Sequence, residues 1–218
     1  MRFGRPKQLT LVAGRPLVAW SLATFGTMPE LRELVIATEA EQTERLAELA
    51  REFAPRLCAV VVSGGSTRQQ SVENALAAVP PACDAAFIHD GARPLVCAND
   101  VRAGMAATAP GVGAVLAAPV VDTIKVVASD GRTVVRTLQR AELWAAQTPQ
   151  FGTLADLRAA HARGRLEGWE ATDDAMLLER SGVRVVVIPA SGDNFKVTLP
   201  GDRELAEAIL LGRSAVPK

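Results

Sequence analysis

His89-Asp90-Gly91-Ala92-Arg93-Pro94 puts a carboxylate and a guanidinium three residues apart, where the apolar run Ala85-Ala86-Phe87-Ile88 gives out. In open α/β sheets, ligands bind outside the carboxyl ends of the strands, which is where such a loop sits. A carboxylate there can hold a metal-bound phosphate, and a guanidinium an anionic partner. The same two groups also make an ordinary ion pair under a turn, and the loop alone does not choose between these readings. Groups of matching chemistry recur at strand ends and loops: Arg2 and Lys7, Gly65 and Ser71, Thr123 and Arg140, Thr172 and Lys196. Together they are cations, one carboxylate, hydroxyls and glycine backbone, with no Ser-His-Asp or Cys-His arrangement. That set suits phosphate chemistry, where positioning and charge neutralisation do most of the catalysis. It suits hydride or acyl transfer poorly.

The elements that must position these groups alternate. Leu34 to Ala37 is a short apolar strand, and Glu39 to Phe53 carries Leu46, Leu49, Ala50 and Phe53 at helical spacing. Cys58 to Val62 is a β-branched strand, Ser63 to Ser71 a polar loop, and Val72 to Val79 a helix, with the Asp90 strand next. Strand–helix alternation predicts an α/β protein with a Rossmann-like, doubly wound, mostly parallel sheet and right-handed crossovers. Gly64-Gly65 lies where a strand feeds a helix N-terminus, a place receptive to anions. Its spacing is not the dinucleotide GxGxxG, and Gly-Gly is often only a turn. Near the start, Arg15 to Ala23 reads as an amphipathic helix opened by Pro16.

Beyond the loop, Val101 to Ala109 reads as a helix and Val112 to Pro119 as a buried strand. Two β-prone runs, Thr123 to Val127 and Arg132 to Leu138, flank Ser129-Asp130-Gly131, and Asp-Gly between such runs is a strong hairpin signal. An isolated hairpin is marginal in water, so residues from about 121 to 139 are expected to form a protruding arm docked on a second subunit. Arg140 to Thr148 returns to the body and is expected to stop at Pro149. Leu154 to Arg163 is a helix with His161 near its end, read as a surface residue favoured by the helix C-terminus. Thr172 or Asp173 is the expected N-cap of the next helix. Val183 to Pro189 is a strand, and Pro200 to Leu211 closes the chain as a helix.

With 218 residues and no repeats or low-complexity linkers, one domain with an excursion is the natural organisation. The 24 basic and 24 acidic residues cancel without a basic block, which argues against nucleic-acid or membrane-surface binding. Cys58, Cys83 and Cys97 lack any metal-ligand spacing, and unpaired cysteines suit a reducing cytoplasm. No stretch reads as a signal peptide or membrane span.

Seven pieces in order carry a resemblance. They are Pro6-Lys7-Gln8; Gly64-Gly65 with Arg68 and Ser71-Val72; His89 to Pro94; Ala118-Pro119 with Asp122-Thr123; Thr148-Pro149-Gln150; Thr172-Asp173-Asp174; and Asp193-Asn194-Phe195-Lys196-Val197-Thr198. The chain resembles the 2-C-methyl-D-erythritol 4-phosphate cytidylyltransferases, from Arg2 to the closing helix. The resemblance implies joining of CTP to methylerythritol phosphate with release of pyrophosphate, using Mg²⁺ or another divalent cation, in non-mevalonate isoprenoid precursor synthesis. It implies catalytic roles for Arg2, Lys7, Arg140 and Lys196. CTP contacts fall on Arg2, Lys7, Gly65, Ser71, Asp90, Gly91 and Lys196, with Asp90 also beside the metal. Methylerythritol phosphate contacts fall on Asp90, Arg93, Thr123, Arg140, Thr148 and Thr172. The arm matches the family's dimerisation arm, so a homodimer is implied. In the family an apolar interior strand and an Ala-Ala-Gly-x-Gly loop precede the residue matching Arg2, and the expectation is that the sequence as given starts late. A cytidylyltransferase for ribitol phosphate or another polyol phosphate is the nearest rival, and a non-catalytic nucleotide-binding protein the rival of another class.

Overall fold

The computed structural model describes residues 7–190 and 193–215. The Arg2 expectation therefore lies outside the described residues. The described chain begins with a 3-10 turn, Lys7–Leu9, and then a tight hairpin, β1 (Leu11–Val12) and β2 (Arg15–Pro16), turned by Ala13 and Gly14, both at positive φ. There follow α1 (Leu17–Gly26), β3 (Glu33–Thr38), α2 (Thr43–Phe53), β4 (Cys58–Ser63), α3 (Arg68–Ala78) and β5 (Ala85–Ile88). Then come α4 (Ala98–Ala107), β6 (Val112–Pro119), the arm strands β7 (Lys125–Val127) and β8 (Val134–Thr137), and β9 (Trp144–Thr153). The last elements are α5 (Leu154–Leu166), α6 (Asp174–Arg180), β10 (Arg184–Pro189) and α7 (Pro200–Ala215).

The main sheet runs in the order β10-β6-β9-β5, and β3 and β4 form a separate parallel pair. β10 lies parallel to β6, while β9 runs antiparallel to both of its neighbours. The parallel α/β expectation therefore holds with one reversed strand wedged into the sheet. The segment expected to stop at Pro149 instead continues through it to Thr153. Proline is admitted inside a sheet at bulges. Here the register slips: Val115 faces Gln150, but Ala117 faces Ala146, so Gln147 to Pro149 bulge out.

Helices cover both faces. Phe87, Leu116, Phe151, Val186 and Ile188 pack with Phe25 of α1 and Val101 of α4. Ala86, Ile88 and Val185 point the other way, into Val72, Leu76, Leu157, Leu177 and Leu178 of α3, α5 and α6. Alternate residues of β5 and β10 thus serve opposite cores, as a period of two requires. Close packing shows at Gly104 of α4, where a Cβ would sit 2.3 Å from the Phe151 ring.

Between β3 and β5 no strand lies among the described residues. A cavity of about 750 Å³ separates them, lined by Leu34, Ile36, Phe87 and Ile88 and reaching Arg68 and Asp90. The arm is the other exception to packing: among the described residues β7 and β8 pair only with each other, across a bulge. No helix among the described residues is long and apolar enough to cross a membrane.

Candidate active site

β5 delivers His89 and Asp90 to its carboxyl end, and the loop they begin is held from several sides. The backbone N–H of Asp90 donates to Thr148 Oγ1 at 3.0 Å, and that hydroxyl lies 3.1 Å from His89 Nδ1. The Arg93 carbonyl, 3.1 Å from His89 Nε2, can only accept, so in the neutral ring Nε2 carries the proton and donates there, and Nδ1 accepts from the Thr148 hydroxyl. Ser21 of α1 donates to the same carbonyl at 3.0 Å. Burial pushes the His89 imidazolium down to about 4, which keeps the ring neutral. The bulge on β9 is what turns Thr148 toward this loop, a common use of bulges beside sites.

The polar loop after β10 closes on the same place. Asn194 Nδ2 donates to the Thr148 carbonyl at 2.8 Å, Arg93 Nη1 donates to the Asn194 carbonyl at 2.8 Å, and Val197 N–H donates to Ala92 at 2.9 Å. These bonds carry Lys196 to Asp90: its ammonium donates to Oδ2 at 2.9 Å while remaining 44% exposed. Arg93 Nε lies 3.8 Å from the same oxygen, with only 11% of its side chain exposed. Arg68 Nε lies 3.6 Å from Asp90 Oδ1. Burial by itself would raise the Asp90 carboxyl, but Lys196, Arg68 and Arg93 more than offset it and hold the group below the usual carboxylate range. Burial, and then the nearby Lys196 ammonium, lowers Lys7, with Asp202 and Asp90 opposing. One carboxylate among several cations leaves a net positive pocket matched to polyphosphate.

The Gly64-Gly65 loop is closed by its own groups. The Gly65 N–H donates to Ser71 Oγ at 2.9 Å, and Ser71 donates to the Thr67 carbonyl at 2.9 Å. Thr67 caps α3, which begins at Arg68 and so takes Ser71 into its first turn, earlier than the expected start at Val72. A Cβ on Gly65 would fall 2.3 Å from the Gln70 side chain. A Cβ on Gly91 would make only ordinary contacts, with Val18 and Gln8, so the protein interior does not itself demand glycine there.

The expected site residues divide. Lys196, Asp90, Arg93 and Thr148 meet directly, Lys7 is coupled to them by charge, and Gly91 is part of the loop. Thr148 is buried, with its hydroxyl engaged by Asp90 and His89, so it supports the loop from beneath rather than offering a free group. Thr172 is exposed and turns to the Met176 sulfur, while Asp173 is the N-cap of α6. Thr123 and Arg140 lie exposed at the base of the arm, and Arg140 donates to the Val121 carbonyl at 2.9 Å. No hydrogen bond or ion pair among the described residues joins them to the Asp90 group.

His161 overturns its expectation. It is 1% exposed, with Nε2 3.1 Å from Asp174 Oδ1, because it lies on the inward face of α5 with Leu157, Ala160 and Gly164. Asp174 Oδ2 accepts from Arg68 Nη2 at 2.7 Å. Gln150 accepts from the N–H groups of Asp174 and Ala175, each at 2.8 Å, and donates to Asp173 at 2.9 Å. Gln150, Asn194 and the His161–Asp174 pair were not anticipated as site residues. Gln150, Asp174 and Asn194 fall within the pieces that carry the resemblance, whereas the signal at His161 is a polar residue at the spacing of the apolar face of α5.

No three His, Cys, Asp or Glu side chains among the described residues stand together as a metal site. Asp90 alone fits a divalent cation that keeps most of its ligands from phosphate and water, the usual habit of Mg²⁺ at nucleotides.

The family model described as IspD, 2-C-methyl-D-erythritol 4-phosphate cytidylyltransferase, matches residues 1–212. The chain is 42% identical over 204 residues to the protein of that name from Gloeobacter violaceus, covering 94% of this chain and 88% of the relative. It is 40% identical over 210 residues to that from Halalkalibacterium halodurans, covering 96% and 91%. The crystal structure of the Thermus thermophilus enzyme of the same name superposes with a TM-score of 0.78 at 33% identity, over 94% of both chains. At 23% identity, the 4-diphosphocytidyl-2C-methyl-D-erythritol synthase structure from Anaerococcus prevotii shares the fold with a TM-score of 0.83, over 92% of this chain and 88% of that one.

Proposed function

The chain belongs to the 2-C-methyl-D-erythritol 4-phosphate cytidylyltransferase family, and on that premise we propose that it joins CTP to methylerythritol phosphate at the Asp90 loop. The observation that carries the reading is Asp90 held among Lys196, Arg68 and Arg93 at the end of β5. A phosphate oxygen of the second substrate attacks the α-phosphorus of CTP. A new P–O bond forms, the bond to the bridging α–β oxygen breaks, and pyrophosphate leaves with the electron pair. The nucleophile is already an anion, so no general base is required, and none of the site's groups is placed as one.

This chemistry depends on positioned positive charge. Lys7 and Lys196 repel one another without a phosphate between them, and a bound triphosphate would relieve that repulsion. Arg93, fixed by Asn194, presents a stiff guanidinium to the methylerythritol phosphate side. Gly65 and Ser71 shape the loop proposed to read the cytosine ring, and Gly91 allows close approach of the ribose–phosphate. A divalent cation bound through Asp90 would supply charge neutralisation to the triphosphate. Thr148 acts through the loop it supports, and Thr172 stands exposed at the rim for the second substrate.

Thr123 and Arg140 are assigned to the substrate phosphate in a dimer. The exposed Val121, Val127, Val134, Val135 and Trp144 give the arm an apolar surface for a second copy of the chain. The arm and the body are read as one nucleotidyltransferase domain. The free Cys58, Cys83 and Cys97 suit a cytoplasmic setting. The test is pyrophosphate release requiring CTP, methylerythritol phosphate and Mg²⁺ together. Equal or faster release with ribitol phosphate would overturn the substrate assignment.

A further inference from the structure

Arg68 divides its guanidinium between two carboxylates. Nη2 makes a 2.7 Å bond to Asp174, whereas Nε stops 3.6 Å from Asp90 Oδ1, beyond hydrogen-bonding range. A guanidinium facing one free carboxylate normally closes on it with two parallel bonds of about 2.7–2.9 Å. Asp90 Oδ2 is occupied by Lys196, but among the described residues no group donates a hydrogen bond to Oδ1. Arg68 is the nearest candidate donor, and its bond to Asp174 restrains it. Asp174 is itself fixed. It is 1% exposed, its Oδ1 meets His161 Nε2 at 3.1 Å, and its backbone N–H donates to Gln150 at 2.8 Å. A buried carboxylate with these partners cannot follow Arg68 toward the cleft.

We propose that Asp174, oriented by His161, is a positioning residue that holds Arg68 short of Asp90 and so leaves Asp90 Oδ1 open to a divalent cation arriving with the nucleotide. This rests on the reading of the site as a metal-dependent cytidylyltransferase. Without the restraint, Arg68 closes onto Asp90 and competes with the metal. At an effective dielectric of about 20, closing from 3.6 Å to about 2.8 Å is worth roughly tenfold in that competition. The opposite change, removal of Arg68, takes away a competing cation.

The readout is binding of the Mn²⁺–CTP complex to the full chain with no second substrate, followed by enhancement of water-proton relaxation, which separates protein-bound Mn²⁺ from Mn²⁺ held by CTP alone and is independent of turnover. Asp174→Asn is expected to weaken Mn²⁺ binding about tenfold. Arg68→Gln should bind at least as tightly as the parent, and the double variant should follow Arg68→Gln. A purely structural role for the buried pair predicts instead that both single variants lose binding together, in step with lost thermal stability. Weaker binding by Arg68→Gln overturns the proposal even if Asp174→Asn fails to fold. If the parent releases pyrophosphate and binds Mn²⁺ but Asp174→Asn binds it equally well, the proposal alone fails. A parent that does neither overturns the catalytic reading and this inference with it.

Discussion

The floor of the site and the arm are built on opposite plans. Beneath Asp90, polar groups from β5, β9, α1 and the loop after β10 bond to one another inside one chain, Thr148 with Asp90 and His89, Asn194 with Thr148 and Arg93 with Asn194, although Arg93 Nε and Asn194 Oδ1 keep no hydrogen-bond partner among the described residues. Buried polar groups are tolerated when they are paired, and here the pairing fixes Lys196 and Arg93 around one carboxylate. In the arm, among the described residues, β7 and β8 pair only with each other, Val127, Val134 and Val135 are exposed, and the Arg140 guanidinium's one hydrogen bond goes to the Val121 carbonyl at the arm's own base. The difference separates two tasks. The charge cluster is set by a single chain, while Thr123 and Arg140 lack a framework that would aim them at substrate until something packs on the arm.

If the floor is self-sufficient, its outermost product should carry the largest effect. Lys196→Ala is expected to lower turnover by about 10²–10³-fold, the scale of one pre-organised charge contact, with the chain still folded and the arm still able to associate. Near-normal kcat in that variant removes Lys196 from the reaction.

A smaller effect tests the floor itself. The His89 ring, with its folded value lowered from 6.5 to about 4, binds a proton more readily in the unfolded chain. Its contribution to stability is therefore full above pH 6.5 and is lost as pH falls toward 4. His89 as a residue is only half-buried, so the loss expected between pH 7 and pH 5 is about 1–2 kcal/mol. Denaturant unfolding of the metal-free chain should show that loss, and His89→Asn should lack it. An equal slope in both would show that the ring does not hold the loop as a neutral group.

Much of this plan was legible in sequence where a local pattern carries the information. The strand–helix alternation up to Asp90, the Asp-Gly hairpin and the polar strand ends all signal through neighbours a few residues apart. The reversed β9 was not legible, because Pro149 is a stop signal unless a bulge admits it, and only the partner strand β6 reveals the bulge. His161 was misread for a related reason. α5 extends to Leu166, so His161 is not in its last residues, and its spacing with Leu157 and Gly164 marks the inward face. The Arg68–Asp174 pair spans 106 residues and leaves no trace in either local sequence. Within the cluster, residue types were readable, but which groups face the cleft and which support from below depends on hydrogen bonds made across the fold.

The arm supplies the smaller effects. Val135→Glu places a charge on the exposed valine surface and is expected to weaken self-association by about 1–2 kcal/mol, as for a non-central interface residue, with unfolding of the body unchanged. Sedimentation at falling concentration measures this, and a variant that self-associates as strongly as the parent would overturn the proposal that the arm carries the interface.

The smallest effect lies at the arm's tip. Asp130 Oδ1 accepts from the N–H groups of Arg132 and Thr133 at 2.8 and 2.9 Å, and Gly131 takes φ +68° to make the turn. Hydrogen bonds from Thr133 and Arg132 hold the Asp130 carboxyl down to about 2. For a lowered carboxyl the support is present above the ordinary value of 3.8 and is lost as pH falls through about 2. That is a different window from His89, so acid should loosen the floor first and leave the hairpin turn intact until much lower pH. The amide signals of Arg132 and Thr133 should titrate with a midpoint near 2, and Asp130→Ala should abolish the transition without altering turnover at neutral pH. A midpoint near 3.8 would mean that the turn is not formed by these bonds in solution, and the arm would then need the proposed second copy of the chain to fold as well as to dock.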